Sequence, residues 1–249
     1  YYPDQNPYRL PSAKWTTRIV AGADGRIYAA GNDARHTFGG VLIAFDPKTG
    51  ERIDLTKDVR SFSIRDMCAI DHGKRLVLST TERTEQGDVV LIVYDTTSHA
   101  FTAKTHVALE PKRSGALLQS GPDEVLSLSR LSRRDEKDPN VEIHEFLVHR
   151  ADLKTGKVVY EQKHPGKAFT GPIPTDRFDE FCVGPDGCGW LFIDNYLSRV
   201  HPDGTVEKVL QMKHGARILF LGDDLYLYNG GRQFFGGFSQ VLRIRSVFE

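Results

Sequence analysis

The chain is 249 residues long, 39% hydrophobic and 27% charged, with 33 basic side chains balanced by 33 acidic ones. A chain of this size buries a sizeable core, its apolar fraction excludes disorder, and no run approaches the ~18 uninterrupted apolar residues of a membrane helix. Zero net charge removes any global attraction to nucleic acid or anionic membranes, so neither is expected as a partner.

Tyr1-Tyr2-Pro3 opens the chain with neither Met nor a signal-type apolar stretch, which reads as a processed, trimmed or excised start. Residues 1–15 carry Pro3, Pro7 and Pro11, tolerable in a strand only at a sheet edge. From residue 16 onward two turns alternate. The first is Gly22-Ala23-Asp24-Gly25, then Asp71-His72-Gly73, Gly121-Pro122-Asp123, Gly184-Pro185-Asp186-Gly187 and Gly222-Asp223-Asp224. A short apolar strand follows each of them. The second is Asp46-Pro47-Lys48-Thr49-Gly50-Glu51, then Asp95-Thr96-Thr97-Ser98-His99-Ala100, Asp152-Leu153-Lys154-Thr155-Gly156-Lys157 and His201-Pro202-Asp203-Gly204-Thr205. An apolar run precedes each of these. Asp caps the backbone of a tight turn and Gly tolerates positive φ.

The unit is therefore strand, Asp-Gly turn, strand, variable loop, strand, Asp-x-x-Thr-Gly turn, strand. Four strands in ~40 to 55 residues is a β-propeller blade. The spacing predicts a single all-β propeller domain of about five four-stranded blades over 1–249, with blades at 16–60, 61–111, 112–166, 178–213 and 214–249. A sandwich or barrel is the competing all-β architecture. The fifth unit stops one strand short, so either residues 1–15 supply the closing strand or the chain is a fragment of a larger propeller. The polar stretch 129–145, broken by Pro139, offers no amphipathic helix, and Arg130 to His144 reads as the long loop of the third blade.

Cys68, Cys182 and Cys188 are too few for a disulfide framework. Pairing across the Gly184–Gly187 turn sets Val183 opposite Cys188 and sends Cys182 to the other face, so free thiols are expected. No metal-ligand spacing is present. Calcium could bind the Asp-rich turns, but such turns are common without it, and no cofactor is expected.

Chemistry is expected in the loops joining second to third strands, which open with the blade junctions at one mouth. The first holds Arg35 and His36 and ends Phe38-Gly39-Gly40. The fifth echoes it as Gly230-Gly231-Arg232-Gln233-Phe234-Phe235-Gly236-Gly237. The second holds Arg83, the third Arg133 and His144, and the fourth shortens to Asp194-Asn195-Tyr196. Arginine grips a carboxylate through two parallel hydrogen bonds, and Phe234 can stack on a sugar face. Arg35, Arg83, Arg133, Arg232 and Phe234 are thus the candidate ligand-binding residues. A neutral His36 or His144 beside an arginine could take the proton next to a uronate carboxylate while Tyr196 returns one, which is β-elimination. The bland reading is solvated charge paired with Asp33, Glu85, Asp135 and Glu136.

Gly25-Arg26-Ile27-Tyr28, the Arg35-His36 loop ending Gly39-Gly40, and Asp46-Pro47-x-Thr49-Gly50 resemble bacterial secreted propellers, some of them polysaccharide lyases acting on uronate-containing glycans. The resemblance covers mainly the first blade and partly the fifth. It implies a mouth using His36 and Arg35, an acidic oligo- or polysaccharide as partner, and an extracellular or periplasmic location. The Asp46-x-x-Thr49-Gly50 turn is also similar to that of quinoprotein-type dehydrogenases, whose docking Trp after each turn is missing here, so that reading is rejected. A non-catalytic scaffold or a lectin-like module is the alternative function, because one fold hosts many. The sequence leaves the oligomeric state open.

Overall fold

A computed structural model describes residues 13–33, 39–82, 89–107, 116–134, 136–138, 141–164, 168–170, 181–193, 196–211, 217–229 and 240–245. These form five antiparallel sheets in chain order. The first is β1 (Ala13–Ala21), β2 (Ile27–Asp33), β3 (Gly40–Phe45) and β4 (Arg52–Asp54). The second is β5 (Phe62–Ile70), β6 (Arg75–Glu82), β7 (Val89–Asp95) and β8 (Ala100–Val107). The third comprises β9 (Ala116–Gly121), β10 (Glu124–Arg134), β11 (Val141–Asp152) and β12 (Val158–His164), with the short β13 (Ala168–Thr170) also pairing β11. The fourth is β14 (Cys182–Val183), β15 (Gly189–Ile193), β16 (Tyr196–Val200) and β17 (Val206–Gln211), and the fifth β18 (Arg217–Leu221), β19 (Asp224–Asn229) and β20 (Gln240–Ile244). Each sheet is an up-and-down meander, and the fold is an all-β propeller of five blades.

Three details differ from the sequence reading. Ala13, Lys14 and Trp15 belong to β1, which two bulges extend along β2. The stretch 129–145 is mostly the two long strands β10 and β11, and Pro139 lies outside the described residues. The fifth sheet has three strands among the described residues.

Turn chemistry explains why these segments double back. Gly22–Arg26, Gly184–Cys188 and His201–Thr205 each close with two backbone hydrogen bonds around a three-residue loop. Gly25, Gly187 and Gly204 supply the positive φ at its end. The Asp24 carboxylate accepts the Arg26 amide at 3.2 Å and the Tyr28 hydroxyl at 2.9 Å. Asp186 repeats this with the Cys188 amide at 3.1 Å and the Trp190 indole at 3.3 Å. In the other turns Asp46 accepts the amides of Lys48 and Thr49, Asp95 those of Thr97 and Ser98, and Asp152 those of Lys154 and Thr155. All three carboxyls are held below the usual carboxylate range, led by the Lys48 amide at Asp46, the Ser98 amide at Asp95 and the Thr155 hydroxyl at Asp152. His99 takes the left-handed corner, φ +54°, where Gly50 and Gly156 stand in the sister turns.

The chain divides into two compact units, residues 1–117 with 151–158, and residues 118–150 with 159–249. In the first unit the facing sides of the first two sheets interlock through Tyr28, Leu42, Phe62, Ile64, Met67, Leu78 and Ile92. The middle strands β3, β6 and β7 are buried on both sides and read as near-continuous apolar runs, whereas the outer β8 alternates. Below this core lies Asp66, 3% exposed, which accepts the Arg18 guanidinium at 2.7 and 3.1 Å and the Leu117 amide at 2.8 Å. In the second unit Cys188, Trp190 and Leu197 pack on Leu225, Leu227 and Phe220, and the Trp190 and Phe220 rings meet edge to face at 5.5 Å. His149 on β11 is buried, and its Nδ1 has no hydrogen-bond partner among the described residues.

Two stability predictions result. Asp66→Ala removes the carboxylate that the Arg18 guanidinium and the Leu117 amide share and lowers stability by about 3 kcal/mol, the low end for a broken buried pair because the Arg18 side chain is 27% exposed. Asp66→Asn, which keeps an acceptor, loses less, and urea midpoints rank the two. Burial pushes His149 down from 6.5 to about 4, so the unfolded chain takes up a proton before the folded one does. Its contribution is complete above about pH 6.5 and is lost as pH falls toward about 4, by on the order of 3 kcal/mol in all. Thermal unfolding of wild type and His149→Leu across that window should show the variant with the flatter profile.

Candidate functional site

The connections between second and third strands leave each sheet at the end opposite its Asp turns, two in each of the first four sheets and one in the fifth among the described residues. In the first unit they span 34–38 and 83–88, so Arg35, His36 and Arg83 lie outside the described residues. In the second unit Arg232 and Phe234 fall between β19 and β20 and likewise lie outside them. Arg133 is the penultimate residue of β10 and His144 the fourth of β11, both described in backbone only. They are strand residues flanking the third connection. Tyr196, the one candidate with a described side chain, opens β16 opposite Ile193 and Gln211. It is half-buried, and the Lys208 ammonium sits 4.7 Å from its ring centre, covering one ring face.

What the structure adds is the anchorage of the first connection. Asn32, at the end of β2, donates from Nδ2 to the Ile64 carbonyl at 2.7 Å and accepts the Ile64 amide on Oδ1 at 2.8 Å. Its amide thus imitates a peptide and ties the first sheet to β5. On the far side of the connection the Gly39 amide donates to the Phe62 carbonyl at 3.1 Å. Gly40 follows so close to the Val59 carbonyl that a Cβ would collide with it. Both feet of the Arg35–His36 connection therefore stand on the second sheet, beside Glu82, which pairs with Phe62 and precedes Arg83. Sequence reasoning passed over Asn32. The one signal was an amide side chain at a strand end just before a variable loop.

A second cluster lies at the turn end of the fourth sheet. Asp186 accepts the Cys188 amide, the Trp190 indole and, at 2.7 Å, the Arg199 guanidinium, whose Cζ lies 5.8 Å from the Trp190 ring centre. The Cys188 sulfur is 3.5 Å from His201 Nδ1, and His201 Nε2 is 3.4 Å from Glu207. This has the outline of a nucleophile, a base and an orienting carboxylate. Burial raises the Cys188 thiol, and Asp186 raises it further, so the sulfur is protonated at neutral pH. Burial also pushes the Asp186 carboxyl up, but its hydrogen bonds from Cys188, Trp190 and Arg199 outweigh that and hold it ionised. The arrangement is a clamp rather than an activated thiol. Its register corrects the sequence reading: Gly184 opposes Cys188 and Val183 opposes Gly189, so Cys182 and Cys188 share a face. They stay free because two rungs along and one strand across is about 8 Å, beyond the reach of a disulfide.

No protein-family model matches the chain, and no curated protein sequence matches it either. Solved structures do. A puromycin-hydrolyzing peptidase of Mycobacterium tuberculosis is similar at 13% identity and a TM-score of 0.56, over 94% of this chain and 37% of that one. The β-propeller domain of the Trilobed protease from Pyrococcus furiosus is similar at 11% identity and 0.53, over 92% of this chain and 68% of that one. A gluconolactonase from Xanthomonas campestris is similar at 13% identity and 0.50, over 85% of this chain and 68% of that one. At this identity the likeness is one of fold. A resemblance to polysaccharide lyases is not among its results, since these neighbours are peptidases and a lactonase.

The clamp makes a prediction about thiol reactivity. Native-state alkylation with iodoacetamide, read by mass spectrometry, should label half-buried Cys182 before Cys188. Asp186→Asn should speed Cys188 severalfold, because it removes the negative charge that keeps the thiol protonated.

Proposed function

We propose that this propeller recognises an acidic, uronate-containing saccharide through the connections between second and third strands. The observation that carries the reading is the double footing of the 34–38 connection on the second sheet, through Asn32 and Gly39. That footing starts Arg35 and His36 from the same ends of two face-packed sheets as Arg83. Sheets stacked this way lie ~10 Å apart, which allows two arginines to hold one sugar acid from either side. The forked guanidinium suits a carboxylate better than a lysine would. In the second unit Arg133, Arg232, Phe234 and Tyr196 occupy the corresponding connections and strand ends.

On this reading a neutral His36 removes the proton next to the carboxylate while Arg35 and Arg83 stabilise the charge that develops, and the glycosidic oxygen leaves from the neighbouring carbon. His144 and Arg133, with Tyr196 as acid, would be the corresponding set in the second unit. One solved neighbour of similar fold is described as a gluconolactonase, which supports the reading only as far as a sugar-derived substrate.

Calorimetric titration with oligogalacturonate, against a neutral oligosaccharide as control, tests it. Arg35→Ala and Arg83→Ala should each weaken binding about tenfold, the loss expected for one charge-assisted contact. His36→Ala should keep binding and abolish the ultraviolet absorbance of an unsaturated uronate product. Binding without that product in wild type makes the protein a lectin-like module. No binding to any acidic glycan removes the proposal and leaves the scaffold reading.

A further inference from the structure

The fifth sheet has two faces of different fate. Ile218, Phe220, Leu225, Leu227 and Ile244 form one, which packs on Trp190, Leu197 and Cys188 of the fourth sheet. The other face is open. Its aliphatic side chains are Leu219 and Leu221 on β18 and Val241 on β20, with Tyr226 and Tyr228 on β19 between them. Leu219 is 63% exposed, Leu221 70%, Val241 63% and Tyr228 40%. Single exposed leucines are ordinary, but four large apolar side chains on one sheet face mark an interaction surface. The register also puts Arg217, Arg243 and Arg245 on this face against a single carboxylate, Asp224, which accepts the Arg243 guanidinium at 2.8 Å. The face is therefore both apolar and net cationic.

We propose that this face binds the surface of a bilayer that contains anionic lipids. Its composition matches what that boundary favours. Aliphatic side chains enter the acyl edge, tyrosines lie at headgroup level with the ring sheltered and the hydroxyl wet, and arginines reach the lipid phosphates. One guanidinium already stands at such a level, the Arg243 Cζ lying 5.7 Å from the Tyr226 ring centre. An arginine close to an anionic membrane strengthens binding about fivefold. Equal numbers of acidic and basic groups in the whole chain remove any long-range attraction, but a local excess acts within a Debye length of the lipid. Size points the same way. Strands of five, six and five residues give a face ~20 Å long and ~10 Å wide, well below the ~800 Å² that a protein partner normally covers. A fluid bilayer moulds itself to a patch of that size, and the binding is weak and reversible.

Co-sedimentation of the intact chain with vesicles tests this. Phosphatidylcholine containing about 30% phosphatidylserine should carry the protein down, phosphatidylcholine alone should carry far less, and added salt should release it. Arg245→Gln should weaken binding about fivefold. Leu219→Glu combined with Val241→Glu should abolish it, with an unchanged circular dichroism spectrum because both side chains are largely in solvent. As a second arm that keeps the face apolar, Leu219→Trp should bind like wild type, and brominated acyl chains should quench its added fluorescence. A wild type that stays in the supernatant, equal pelleting by both kinds of vesicle, or a double glutamate variant that binds as well as wild type overturns the proposal. So does a chain that ignores vesicles yet binds a helical peptide rich in glutamate and leucine, because the occupant is then a protein.

Discussion

Burying a carboxylate is unfavourable unless hydrogen bonds replace the water it loses, and Asp66 replaces that water with donors from two other strands. Arg18 reaches it from β1 and the Leu117 amide from β9, while Asp66 itself stands on β5. One side chain therefore fixes the height of β1 against β5 and ties both to the chain at Leu117. Arg18 and Asp66 each follow a bulge in their strand, the local irregularity that turns their side chains toward one another. The alternation that packs Tyr28, Leu42, Ile64 and Leu78 against each other depends on that height, because a slip of one residue would exchange the two faces of a strand.

Each sheet then has one end built for rigidity and one left for variation. At the rigid end, Asp side chains cap their own turns, and several are fastened again by an arginine of the same sheet: Arg75 to Asp71, Arg199 to Asp186 and Arg243 to Asp224. The other end carries connections of very different length, from 194–195 to 230–239. Asn32, Gly39 and Gly40 show how such a connection gains a fixed base without a fixed sequence. Binding residues commonly sit on loops held by a rigid scaffold, and the proposed binding residues Arg35, Arg83 and Arg232 belong in sequence to these connections.

The Asp186 cluster shows why geometry alone does not make a reactive site. Cys188, His201 and Glu207 stand in the order of a thiol triad, yet burial, reinforced by Asp186, keeps the proton on the sulfur. Asp186 does for the fourth sheet what Asp24 does for the first, gathering a backbone amide and an aromatic donor four residues on. The repeat is one of turn mechanics, and the chemistry varies within it.

Turns, strands and the propeller class could be read from the sequence because their causes are local. An Asp, a Gly and the run beside them fix a hairpin within five or six residues, and the same two hairpins recur in order down the chain. The turn at Asp95 held its geometry even with His99 at the corner. Register could not be read this way: counting residues placed Val183 opposite Cys188, and a left-handed glycine at 187 moved every pairing by one. Nor could partners 32 to 51 residues apart, such as Asn32 with Ile64, Arg18 with Asp66, and Asp66 with Leu117. The bare face of the fifth sheet was hidden for a related reason. Leu219 and Ile218 look equally apolar in the chain, and only the packed fourth sheet determines which of them is buried. Local chemistry wrote the elements, while the long-range contacts that set their height, register and covered face exist only once the chain has folded.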